Sequence, residues 1–153
     1  MIEVGKKAPA FSLPSVGGRK VSLKNFAGRN VVLYFYPKDN TAGCTKEACD
    51  FRDNIARIQS ADAVVLGVSG DSLASHEKFR DTHDLPFDLL SDENHEMMEK
   101  YGVWKEKKNY GRTYMGVERT TVLIDGEGVV RRIWPKVKVT GHVDDVLATL
   151  AES

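Results

Sequence analysis

Six consecutive residues, Val31-Val-Leu-Tyr-Phe-Tyr36, are aliphatic or aromatic and show no alternation with polar residues. A strand with one wet face alternates. An unbroken run suits a strand buried on both sides, in a parallel sheet covered by helices. Pro37 ends the run, because proline has no N–H to give a ladder. The next stretch is helical in period: Ala48, Phe51, Ile55 and Ile58 recur among Glu47, Asp50, Arg52, Asp53 and Arg57. That pattern predicts one helix from about Thr41 to Ser60, with Asp39, Asn40 or Thr41 as its N-cap.

The rest of the chain repeats the theme. Ala63–Val68 reads as a second buried strand, Ser72–His83 as a helix and Phe87–Leu90 as a third strand. Asp92 is placed to cap a short helix running to Tyr101. Thr120–Asp125 and Val129–Trp134 flank Gly126-Glu-Gly128, a hairpin signal, and Val143–Ala151 closes the chain as a helix. Before all of these, extended pieces at Phe11–Leu13 and Lys20–Leu23 are joined by a turn at Gly17-Gly18. The expected architecture is α/β, a central mixed sheet flanked by helices with an N-terminal β-hairpin. No linker or repeat divides the 153 residues, so 1–153 reads as a single domain.

Charge excludes some functions. Twenty-two basic residues balance twenty-two acidic ones, so no global field draws nucleic acid or an anionic membrane. The N-terminus lacks the apolar stretch of a signal peptide, and the longest apolar runs are far too short for a bilayer. A cytoplasmic protein is expected. In that compartment a pair of cysteines is rarely a staple; its disulfide is usually transient, catalytic or redox-sensing.

The two cysteines are Cys44 and Cys49. Cys44 falls in the first turn of the predicted helix and off its Ala48–Phe51–Ile55 stripe. Backbone N–H groups there have no intrahelical partner, and the helix dipole favours an anion such as a thiolate. A metal site is not supported. His76, His83, His95 and His142 are scattered, with His76 and His83 reading as a solvated helix face. The Cys-x-x-Cys of a dithiol exchanger is also absent. On one helix, residues five apart have Cα atoms about 8.7 Å apart, beyond the roughly 4.4–6.8 Å that a disulfide spans. Bonding the pair therefore requires the first one or two turns to unwind.

The stretch Pro37-x-x-x-Thr41-x-x-Cys44 resembles the active-site signature of peroxiredoxins, thiol peroxidases on a thioredoxin-like fold. The offset to Cys49 and the segment Tyr110–Asp125 are similar to the bacterioferritin-comigratory-protein/PrxQ subgroup, and the likeness runs from Val4 to the last helix. Ala42 departs from it, standing where many members carry proline. The resemblance implies that Cys44 is the peroxidatic nucleophile, Cys49 the resolving cysteine and Arg119 the cation at the reacting sulfur. It gives Thr41 the thiolate and peroxide oxygens, and Pro37 the shielding of the sulfur. Read alone, Arg119 is a surface charge and Thr41 a cap. Glu47 is a weaker candidate, one that would orient Arg119, since a helix-face glutamate is usually solvated. Trp104 and Trp134 read as packing.

The resemblance further implies a sulfenic acid, an intramolecular disulfide, recycling by thioredoxin or a similar dithiol reductant, and no metal, haem or flavin. An intramolecular pair needs no second subunit, so a monomer is expected. Hydrogen peroxide and organic hydroperoxides are the implied substrates. A general disulfide exchanger and a peroxide-responsive sensor stand as the alternatives.

Overall fold

The computed structural model describes residues 2–152. Its centre is a five-stranded mixed sheet of order β5-β4-β3-β8-β9. Strands β3 (Asn30–Phe35), β4 (Ala63–Ser69) and β5 (Asp88–Ser91) run parallel, while β8 (Thr120–Ile124) and β9 (Val130–Trp134) are antiparallel to their neighbours. Helices α1 (Ala42–Asp53), α2 (Ile55–Ser60), α3 (Leu73–His83), α4 (Glu96–Lys100) and α5 (His142–Ala151) connect or cover these strands. The N-terminal hairpin pairs β1 (Ser12–Pro14) with β2 (Lys20–Ser22), and Gly17 and Gly18 both take positive φ in its turn.

The absence of alternation in Val31–Tyr36 has a direct cause. Val32, Tyr34 and Tyr36 join one core with Ala48, Phe51 and Ile58 from α1 and α2, Phe79 from α3, and Val143, Val146 and Leu150 from α5. Val31, Leu33 and Phe35 point the other way, into a second core with Met97 and Met98 of α4, Tyr101, Val122 and Ile124. Successive side chains enter opposite faces, and both faces are dry. Burying a side chain of this size contributes about 1.5–3 kcal/mol, so β3 is the best-supported element of the fold.

Two expectations change. The single helix from Thr41 to Ser60 is two helices, broken at Asn54, whose backbone sits at φ −113°, ψ 11°. The Asn54 amide donates to the Asp50 carbonyl at 2.8 Å; such local bonding competes with the helix ladder. The sequence reading also missed a hairpin of β6 (Trp104–Asn109) and β7 (Arg112–Val117), closed by Tyr110 and Gly111, both at positive φ. Its strands are exposed over most of both faces and carry no alternating apolar residues, and a tyrosine occupies a turn position usually given to asparagine or glycine. Asp92 does serve α4: its carboxylate accepts from the amides of Met98 at 2.9 Å and Met97 at 3.4 Å.

Candidate active site

The register of β3 against β8 builds the site. Phe35 lies opposite Thr120, so Arg119, one residue before β8, arrives where β3 gives way to the loop before α1. The Val137 amide holds the Arg119 carbonyl at 2.9 Å. From there Nη2 donates to Cys44 Sγ at 3.3 Å, and Nη1 donates to Glu47 Oε1 at 2.7 Å. Residues 75 positions apart thus share one guanidinium. Gly43 leaves room for it: a β-carbon there would stand 3.2 Å from Nη2.

Cys44 is 1% exposed. Far from lying off the apolar stripe, it packs in the same core as Ala48 and Phe51. The correction follows from phase: Cys44 is one helical turn before Ala48 and shares its face. Its own end of the helix is electropositive. Thr45 N–H to Thr41 carbonyl, 2.9 Å, is the first intrahelical bond; the amides of Ala42, Gly43 and Cys44 precede it and have no acceptor within the helix. Guanidinium and helix terminus together surround the sulfur with groups that favour negative charge on it.

Glu47 is not a solvated helix-face residue. It is fully buried, and Oε2 has no hydrogen-bond partner. Burial pushes its carboxyl up to about 7, against the pull of Arg119. Arg119 in turn is raised above its ordinary value, the charges of Glu47 and Cys44 outweighing desolvation. A second buried oxygen without a partner is the Tyr34 hydroxyl, held neutral by burial and by the charge of Glu47 and Cys44.

The remaining predicted residues are placed as follows. Thr41 occupies the N-cap position, but its hydroxyl makes no cap bond; it donates to the Lys38 carbonyl at 2.9 Å and is exposed. Pro37 is exposed, next to the buried Tyr36. Cys49 lies on α1 with Cys44, half-buried, and both are free thiols. Trp104 stacks on His95 with centroids 3.8 Å apart, and Trp134 donates to Asp145 at 2.8 Å; both are packing residues.

His76 overturns its expectation. It is completely buried and bonded to Asp39 at 2.7 Å. The sequence carried a faint signal: His76 stands three residues before the buried Phe79 on one helix face.

A buried thiol under an arginine, at the start of a helix following a central strand, defines a thiol-dependent oxidoreductase. Residues 4–133 match the AhpC/TSA family, and the chain belongs to it. Peroxiredoxin Bcp of Bacillus subtilis is 52% identical over 151 residues, spanning 99% of this chain and 96% of that protein. Peroxiredoxin Bcp of Escherichia coli K12 is 42% identical, covering 99% and 97%. Among solved structures, a cysteine-to-serine mutant of Xylella fastidiosa PrxQ superposes with a TM-score of 0.95 at 33% identity, covering 99% and 97%. Xanthomonas campestris bacterioferritin comigratory protein, described for its alkyl peroxide reduction, gives 0.92 at 40% identity over 98% of each chain. The fold is thioredoxin-like and the chain is a peroxiredoxin, a thiol peroxidase of the Bcp/PrxQ kind.

Proposed function

We propose that Cys44 is the peroxidatic nucleophile and Cys49 the resolving cysteine of a peroxidase acting on hydrogen peroxide and organic hydroperoxides. The carrying observation is the Arg119 guanidinium shared between Cys44 Sγ and Glu47. A cation donating to the sulfur stabilises the thiolate that must attack. As the O–O bond breaks, the same guanidinium and the free amides at the start of α1 face the charge that develops on the departing oxygen.

The first step transfers one peroxide oxygen to sulfur, giving Cys44–SOH and an alkoxide or hydroxide that takes a proton to leave as alcohol or water. Thr41 has its own proton committed to the Lys38 carbonyl, so its oxygen is left to accept from the peroxide O–H. In the second step the Cys49 thiol condenses with the sulfenic acid, forming the disulfide and releasing water. Both cysteines sit on α1, so this step requires local opening of that helix. An external dithiol, thioredoxin or a similar protein, then reduces the disulfide by exchange and is itself oxidised.

Placement of both thiols in one helix supports a monomer, and a transient disulfide suits the cytoplasm. One sheet with a core on each face supports reading 1–153 as one domain. Among the described residues no helix is long and apolar enough to cross a membrane.

The test is turnover. Sub-stoichiometric protein with thioredoxin and its reductase is expected to consume many equivalents of peroxide, and Cys44→Ser to fall to the uncatalysed background. Oxidation that stops after one equivalent would indicate a sensor, and insulin reduction without peroxide consumption an exchanger.

A further inference from the structure

We propose that His76 is a positioning residue for this reaction: through Asp39 it anchors the loop before Cys44, and the anchor stays closed while α1 opens. The proposal deepens the peroxidase reading and rests on it.

Asp39 stands two residues before Thr41 and is 5% exposed. It is held by both side chain and backbone. Oδ1 accepts from the Tyr36 hydroxyl at 2.6 Å, and Oδ2 accepts from Ser75 Oγ at 2.8 Å and lies 2.7 Å from His76 Nδ1. The Asp39 amide donates at 2.8 Å to Asp71 Oδ2, which also accepts from Ser69 Oγ at 2.6 Å. These partners come from the end of β3, the β4–α3 connection and α3. None belongs to α1.

His76 links this hub to the sheet. Its Nε2 lies 2.9 Å from the Leu90 carbonyl of β5. A carbonyl oxygen only accepts, so Nε2 carries a hydrogen. Nδ1 faces the Asp39 carboxylate and Nε2 the Leu90 carbonyl, so the ring bridges β5 to the loop. Asp39, Asp71 and His76 offer donor atoms within 4.8 Å of one another, as a cation site would. The Asp39 carboxylate and Asp71 Oδ2 are already engaged by O–H and N–H donors, however, and the histidine is held between Asp39 and the Leu90 carbonyl, so the cluster is a hydrogen-bonded hub.

The consequence is a division of labour along eleven residues of chain. Residues 36 and 39 are pinned to rigid elements, so Thr41 is presented from a fixed point. Opening of α1 begins beyond it. Releasing the pin misplaces the peroxide-binding groups without obstructing the movement of Cys49.

Two substitutions separate this from general stability. An asparagine amide nitrogen sits about where Nδ1 does and still reaches Asp39. A glutamine amide sits about where Nε2 does and reaches Leu90 only. Stopped-flow oxidation of reduced protein gives a second-order peroxide phase and a first-order disulfide phase. His76→Gln is expected to slow the peroxide phase by about tenfold or more, with the disulfide phase unchanged or faster. His76→Asn is expected to recover most of that loss at a Tm no higher than that of His76→Gln.

Equal slowing of both phases, or losses that follow Tm, would overturn the anchor. Ser75→Ala, which deletes one bond to Asp39 and leaves the ring, covers the case in which the histidine variants do not fold. It is expected to show the same selective slowing in smaller degree, and wild-type kinetics in it would overturn the proposal. If wild type lacks a fast peroxide phase, the functional reading falls and the anchor with it. If wild type reacts fast and His76→Gln matches it, the anchor alone falls.

Discussion

On the β8 side of the loop before α1, Arg119 reaches Cys44 and Glu47, and the buried Glu47 Oε2 has no hydrogen-bond partner. On the α3 side, both carboxylate oxygens and the amide of Asp39 are bonded, as are both nitrogens of His76. Each cluster is largely buried and each contains a carboxylate against a nitrogen side chain. They differ in satisfaction. A buried polar atom without a partner costs about 1–3 kcal/mol; among the described residues the side-chain atoms of this kind are Glu47 Oε2, beside the arginine that reaches the sulfur, and Tyr34 Oη, over Gly67 of β4. The Arg119–Glu47 pair, with one carboxylate oxygen unmatched, keeps interaction capacity for charge that appears during reaction. The saturated cluster has none left and serves to hold the loop still.

The contrast is broken most severely at Arg119. Arg119→Met removes the donor to the sulfur and strands Glu47. It is expected to lower kcat/KM for peroxide by about 10²–10³-fold, the size of losing one charge-stabilising donor, measured by competition kinetics. Arg119→Lys is expected to recover little, because a single ammonium does not reproduce the fork that serves two acceptors.

Glu47→Gln sharpens the comparison through pH. Burial raises the Glu47 carboxyl to about 7, so the folded protein binds a proton that the unfolded chain releases near 4.5. Its contribution to stability is therefore fully present below about pH 4.5 and lost as pH rises through about 7. Thermal melts of wild type are expected to show this decline, and those of Glu47→Gln to be flatter over the same window. The pH profile of peroxide oxidation is expected to lose an inflection near 7 in the variant. An unchanged profile would mean that Glu47 does not govern how Arg119 presents itself to Cys44.

The smallest effect is expected at Tyr34. Its hydroxyl has no partner, while its ring stacks on Phe51 at 4.8 Å and on Tyr36 at 5.4 Å. Tyr34→Phe keeps the rings and removes the orphan, so denaturant melts should show a gain of up to about 1 kcal/mol. A loss greater than that would show that the hydroxyl is satisfied in solution, leaving Glu47 Oε2 as the orphan that sets the Arg119 cluster apart.

Much of this was legible before the fold was known. Residues 31–36 announce a two-faced buried strand, Pro37 ends it, and the helix opening at Thr41 places Cys44 where an anion is favoured. Hydrophobic period and turn residues are local signals, and they report local structure. What was not legible depends on long-range register. Glu47 reads as solvated until β8 delivers Arg119 onto α1. His76 reads as exposed because nothing near it in sequence shows that Asp39, 37 positions away, and the Leu90 carbonyl enclose it. Cys44 shows the limit of period itself, since sharing a face with Ala48 placed it in the core as well as at the helix start. The β6–β7 hairpin failed for a different reason: strands exposed on both faces need no alternation, and Trp104, Tyr114, Met115 and Val117 supply none to read.

The most direct measurement is to add one equivalent of hydrogen peroxide to the reduced protein, block remaining thiols, digest, and identify the sulfur bonds by mass spectrometry. The expected result is rapid loss of both thiols and a peptide pair joined through Cys44 and Cys49 within one chain, with Cys49→Ser stopping at a trapped Cys44 sulfenic acid. Slow loss at the rate of an ordinary thiol, or oxidation of Cys49 ahead of Cys44, would contradict the assignment of Cys44, under Arg119, as the peroxidatic sulfur.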